Sequence, residues 1–239
     1  MTKNKNKIKF DILKVKDPSD KIFINKERIF NIPFKLAIVG KSQISLGKTS
    51  IILNLLLRDK YYKNDFKGEN IYVVSNNKVD KKLQILREEK DIPESNFMRF
   101  DEDTIEALYD ILEEDFMMDD KDPKLIIFDD VAYSAGLKGT QTGVLSKIVM
   151  NGRHINLSSI FTTQKYSLIG TNIRTNLTGV MIGGLNQREL ELCCDDLNFL
   201  EDKKKFMKMM RENTKGRDFV VVNFTDDDLY LNKNFQPIF

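Results

Sequence analysis

Histidine is nearly absent: His154 is the only one in 239 residues, which excludes a zinc centre built on several imidazoles. Cysteine is confined to the adjacent Cys193 and Cys194. No disulfide framework is therefore available, and the pair reads as ordinary small helix residues in a reducing compartment. Only 5 prolines, set against 31% charged and 41% hydrophobic residues, favour a packed core over a disordered chain. No apolar run approaches the roughly 18 residues of a membrane span. The Lys/Asn-rich start, Met1 to Phe10, lacks the apolar stretch of a secretory signal. A soluble, intracellular protein is expected. The formal charge of +2 gives no global electrostatic case for nucleic acid.

Charge is present in blocks. Six lysines and one acid, Asp11, fall in the first sixteen residues; ten acids and no base run from Asp101 to Asp120; seven bases and one acid, Glu212, run from Lys203 to Arg217. Solvated faces are the plain reading of such runs, and a nucleic-acid surface is the sharper reading of the basic ones.

Strand and helix signals alternate through the middle. Phe34–Val39, Ile71–Val74, Phe97–Phe100, Leu125–Phe128, Leu157–Thr162, Gly179–Ile182 and Asp218–Phe224 read as strands. Helices are expected over Thr49–Arg58, Val79–Lys90, Asp103–Asp119, Gln141–Asn151, Gln187–Cys194 and Lys203–Glu212. This alternation predicts an α/β domain with a mainly parallel sheet flanked by helices. The expected division is a basic N-terminal arm over 1–30 and one domain over 31–239, with 187–239 as its appendage.

Between the first strand and the apolar helix lies Gly40-Lys-Ser-Gln-Ile-Ser-Leu-Gly47-Lys48-Thr49, the context of a phosphate loop. Backbone N–H groups at a helix N-terminus cradle phosphate, a lysine neutralises its oxygens and a threonine hydroxyl ligates Mg²⁺. Six residues separate Gly40 from Gly47, where the usual motif has about four. Either the loop is longer or Ser42 stands in for the first glycine. Ile44 and Leu46 are then expected to crowd the cradle. The nucleotide-binding set is Gly40, Ser42, Gly47, Lys48, Thr49 and Ser50.

Leu125-Ile-Ile-Phe-Asp129-Asp130 is an apolar strand ending in paired acids. Carboxylates at a strand's C-terminal edge face the same crevice as a phosphate loop. Asp129 is expected to hold Mg²⁺ and Asp130 to orient or deprotonate the attacking water. Gln164, at the tip of the next strand, is positioned to bond the γ-phosphate or that water.

With Asn151-Gly152-Arg153-His154, Thr163-Gln164 and Ile173-Arg174-Thr-Asn176 in this order, the chain resembles the FtsK–HerA-type ATPases. The viral genome-packaging branch of poxviruses, other large DNA viruses, virophages and related phages is most similar. The resemblance spans roughly 34–192. It implies a P-loop NTPase of the ASCE, RecA-like kind: a ring-forming motor that uses ATP and Mg²⁺ to move double-stranded DNA into a preformed capsid. Lys48 and Thr49 would bind nucleotide, Asp129 the metal, Asp130 would be the catalytic acid and Gln164 the sensor. An arginine finger from a neighbouring subunit is implied, with Arg174 slightly ahead of Arg153. Expected partners are double-stranded DNA, further copies in a hexamer or pentamer, and a capsid-vertex or membrane-associated virion protein. The expected location is the virion or host cytoplasm. Lys138, Lys203, Lys204 and Lys205 are candidate DNA contacts. A P-loop nucleotide kinase and a non-catalytic assembly protein are the alternatives.

Overall fold

A computed structural model describes residues 28–41, 46–77, 80–130, 143–200, 202–225 and 229–239. β1 (Lys35–Val39) is buried along its whole length. Its alternate side chains enter two cores: Leu36 and Ile38 join α1 (Lys48–Leu57) on one face, and Ala37 and Val39 join the other. A strand covered on both sides has to be apolar throughout, which is why this segment is continuous rather than alternating in character. In α1, Ile51, Ile52, Leu55 and Leu56 are the buried apolar residues, the spacing that lays one helical stripe against the sheet.

Six strands run parallel: β1, β2 (Ile71–Ser75), β3 (Phe97–Met98), β4 (Lys124–Asp129), β5 (Leu157–Thr163) and β6 (Gly179–Ile182). α2 (Lys81–Glu89), α3 (Glu102–Met117), α4 (Val144–Asn151) and the short α5 (Thr171–Arg174) connect them. The eight-stranded order is β3-β2-β4-β5-β1-β6-β7-β8, so β5 separates β1 from β4.

The chain beyond 187 continues this sheet. α6 (Gln187–Leu197) and α7 (Lys203–Asn213) return the chain to the edge that β6 left. β7 (Val220–Asn223) therefore enters antiparallel to β6, and β8 (Tyr230–Leu231) antiparallel to β7. Leu190, Phe206, Met210, Val222 and Tyr230 share one core with Phe161 and Ile182. At the other end, Phe30 is 1% exposed and its N–H donates to the Tyr62 hydroxyl at 2.8 Å, so packed chain already lies within the segment expected as an arm. No helix among the described residues is long and apolar enough to cross a membrane.

Candidate functional site

Three parallel strands bring the site together. β1, β4 and β5 all end at one edge of the sheet, with Val39 beside Thr163 and Phe128 beside Phe161. α1 starts at this edge with Gly47 as its N-cap, at φ 59° and ψ 56°, a left-handed conformation that glycine takes without a Cβ penalty. No side chain among the described residues caps the helix. Its first N–H groups therefore suit an external anion.

Lys48 is 9% exposed, and its Nζ donates to the Gly40 carbonyl at 3.1 Å. Burial lowers its pKa, against the opposing pull of the Asp130 and Asp129 charges. Thr49 and Ser50 follow in the first turn of α1, half-buried. Leu46 does not crowd this turn. It is 5% exposed and belongs to the α1-side core. A Cβ on Gly40 would come within 3.0 Å of the Leu46 side chain, and one on Gly183 within 3.2 Å. The two glycines make room for the leucine beneath the loop. Ser42 and Ile44 lie outside the described residues.

Asp129 ends β4 at 7% exposure. The Thr162 hydroxyl donates to its Oδ1 at 2.8 Å and accepts from the Asp130 N–H at 2.9 Å. One hydroxyl on β5 thus fixes both acids. Burial raises the Asp129 pKa; the Thr162 bond works against that rise, Asp80 and Asp130 add to it, and Lys48 opposes it. Asp130 sits at φ 49°, a region aspartate tolerates better than most residues. Its Oδ2 accepts from Gln164 Nε2 at 3.2 Å. Its Oδ1 is buried and has no hydrogen-bond partner among the described residues. An orphaned carboxylate oxygen next to a second carboxylate, with a threonine at the facing helix start, fits a hydrated divalent cation with oxygen ligands.

The two arginines lie elsewhere. Arg174, on α5, pairs with Asp196 on α6 at 3.1 Å with its side chain 12% exposed, and it stacks 5.1 Å over the Tyr166 ring. Arg153 is exposed in the 3-10 turn before β5. There it is near enough to Lys35, at the start of β1, for its charge to help burial lower that lysine's pKa. Arg153 therefore stands near the start of β1, at the sheet edge opposite Lys48 and the two acids. Lys203, Lys204 and Lys205 open α7; Lys203 pairs with Asp195 at 3.6 Å, and Lys205 lies 4.9 Å over the Phe239 ring. They too are remote from Lys48. Lys138 falls outside the described residues.

Thr162 was not among the residues expected at the site. Its role comes from cross-strand register, since the residue after Phe161 stands beside the residue after Phe128. Thr162→Val keeps the shape and removes the hydroxyl. The expected result is a loss of about 1–3 kcal/mol in chemical denaturation, the ordinary cost of leaving a buried polar group unpaired, together with reduced ATP turnover. Unchanged stability and turnover would mean that the hydroxyl does not organise the acids.

A family model described as "Poxvirus A32 protein" matches residues 21–234. Among solved structures, the genome packaging NTPase B204 from Sulfolobus turreted icosahedral virus 2, in complex with ATP-gammaS, superposes with a TM-score of 0.60 at 16% identity, covering 86% of this chain and 98% of that chain. The same protein with AMPPCP gives 0.58 at 14% identity, with 87% and 99% covered. B204 from Sulfolobus turreted icosahedral virus, described as a DNA-packaging ATPase, gives 0.60 at 13% identity, with 87% and 99% covered. At these identities the likeness is one of fold: a P-loop NTPase, as the strand–helix alternation and phosphate loop led us to expect. A comparison with curated protein sequences gave no match.

Proposed function

We propose, from the premise that this chain belongs to the poxvirus A32 protein family, that it is an ATP-hydrolysing motor driving double-stranded DNA into a viral capsid. The observation that carries this reading is the convergence of Lys48, Asp129, Asp130 and Gln164 at one sheet edge, with Thr162 bonded to both acids. That edge has a helix start with no side-chain cap among the described residues, a buried cation, and a carboxylate pair with one buried oxygen that no described residue bonds.

In this mechanism Gly40, Ser42, Gly47, Lys48, Thr49 and Ser50 hold the triphosphate. Thr49 and Asp129 would hold Mg²⁺, which would supply positive charge against that developing on the γ-phosphate. Asp130 orients and deprotonates the attacking water, and Gln164 keeps the Asp130 carboxylate aimed. We place Arg153 ahead of Arg174 as the finger entering a neighbouring subunit. Arg153 is exposed and makes no ion pair among the described residues, whereas Arg174 is already held by Asp196. A finger supplied across subunits makes the ring, hexamer or pentamer, the active unit, because each site is then incomplete alone. The ATPase domain extends from residue 28, where Arg28 pairs with Asp65 and Phe30 is buried, to residue 239, and the basic arm is the stretch before it. Lys138 and Lys203 to Lys205 are the proposed DNA contacts. A capsid-vertex or membrane-associated virion protein is the docking partner, and the virion or host cytoplasm the place of action.

The test is ATP hydrolysis with Mg²⁺, with and without double-stranded DNA, and particle mass measured on the same sample. Hydrolysis by an oligomer, stimulated by DNA, is expected. Phosphate transfer to a nucleoside monophosphate would replace the motor by a kinase, and absence of nucleotide binding would leave a non-catalytic assembly protein.

A further inference from the structure

We propose that Lys82, on α2, is a second cation of the nucleotide site and bonds the polyphosphate of the bound nucleotide from the solvent side. The inference rests on the nucleotide-binding reading of the same pocket and adds a ligand that the phosphate loop does not contain.

The placement comes from two helices that start at the same sheet edge. β2 ends at Ser75, in register with Asp129, and α2 begins soon after with Asp80 as its N-cap. The Asp80 carboxylate accepts from the Lys82 N–H at 2.8 Å, which fixes the first turn of α2 and the direction in which Lys82 leaves it. Asp80 lies five residues beyond Ser75, the residue beside Asp129. This turn therefore borders the crevice.

From it, Lys82 Nζ reaches across to Ser50 and donates to its Oγ at 2.8 Å. Ser50 lies in the first turn of α1. Its Oγ would be 3.3 Å from a Cβ placed on Gly47. The Lys82 ammonium is thus held by a hydroxyl that adjoins the left-handed glycine at the mouth of the anion cradle.

A hydroxyl is a weak partner for an ammonium. Lys82 is exposed and makes no ion pair among the described residues. A helix N-terminus already attracts negative charge. An ammonium added within hydrogen-bond reach of that terminus strengthens it for phosphate and for little else. The two lysines differ in kind. Lys48 is buried and bonded back to Gly40, whereas Lys82 stands in solvent and can move the short distance from Ser50 to a phosphate oxygen.

A lysine that only ties α2 to α1 would leave nucleotide affinity unchanged. The test titrates the full-length protein with fluorescent ADP and with a fluorescent non-hydrolysable ATP analogue, in the presence of Mg²⁺. For Lys82→Gln we expect both affinities to fall roughly tenfold or more, the worth of one hydrogen bond to a charged group. Lys82→Arg should restore most of the loss. Turnover at saturating ATP should change little, since a contact made equally in ground and transition states acts on KM. The melting temperature of Lys82→Gln should stay at the wild-type value, because the side chain is exposed. Wild-type affinities for Lys82→Gln, or a loss confined to kcat, would overturn the proposal alone. Failure of the wild type to bind either nucleotide would remove the functional reading and this inference with it.

Discussion

Lys48→Met is expected to abolish nucleotide binding and to lower ATP turnover by at least about 10²–10³-fold, the scale seen when one preorganised electrostatic donor is removed. The apo protein should remain folded. Lys48 is a cation kept from water by the start of α1, and burial is the largest influence on its pKa, pulling it below the ordinary 10.5. Its carboxylate neighbours recover part of that cost, with Asp130 contributing more than Asp129. The sign follows from proton counting. Between the lowered folded value and 10.5, the unfolded chain holds a proton that the folded chain has released, so stability rises with pH across that window. Below the folded value both states are protonated, and the folded state bears the full cost of the buried charge. Chemical denaturation of wild type against Lys48→Met, from neutral pH to above 10.5, should show wild-type stability gaining on the mutant up to that value and levelling beyond it. A flat difference would mean that Lys48 is well solvated, and the basis for its action on phosphate would go with it.

Much of the fold was legible because its signals are local. Continuous apolar runs ending in Gly40 and Asp129 read as buried strands, and Gly47-Lys48-Thr49 reads as the opening of a helix. Less legible was whatever depends on neighbours in space. The direction of β7 depends on α6 and α7 acting as a pair, and two-residue β8 is too short to show any period. Leu46 read as loop lining from its place in the chain, but Gly40 and Gly183 leave a space that draws it into the core. Thr162 is indistinguishable from any other strand threonine until β5 is seen to lie between β1 and β4. The motif order puts Arg174 slightly ahead of Arg153 as a finger, but it cannot show that Asp196, on the next helix, pairs with Arg174. Lys82 belongs to the same class: nothing in its sequence neighbourhood marks it, and only the approach of α2 to α1 brings it to Ser50.

Asp130→Asn should separate binding from chemistry more cleanly than any other change at this edge. We expect turnover to fall by about 10²–10⁴-fold, the usual contribution of a general base, with nucleotide affinity retained. Asparagine suits the test for three reasons. It is among the residues that tolerate the left-handed backbone, so φ 49° is preserved. Its amide oxygen can still accept from Gln164 Nε2, so the side chain stays aimed while its basicity is lost. Removing the Asp130 charge also removes one of the influences that raise the Asp129 pKa, so the Asp129 carboxylate ionises more readily and remains available as an oxygen ligand. Asp130→Ala would confuse the matter by adding backbone strain at the end of β4. Single-turnover measurements alongside equilibrium binding decide it: normal affinity with arrested cleavage supports the assignment, and wild-type cleavage would transfer the base role away from this residue. Because Thr162 bonds the Asp130 N–H and the Asp129 side chain at once, a double substitution at 130 and 162 should cost less than the sum of the two. The hydroxyl organises a base that, in Asp130→Asn, is no longer there.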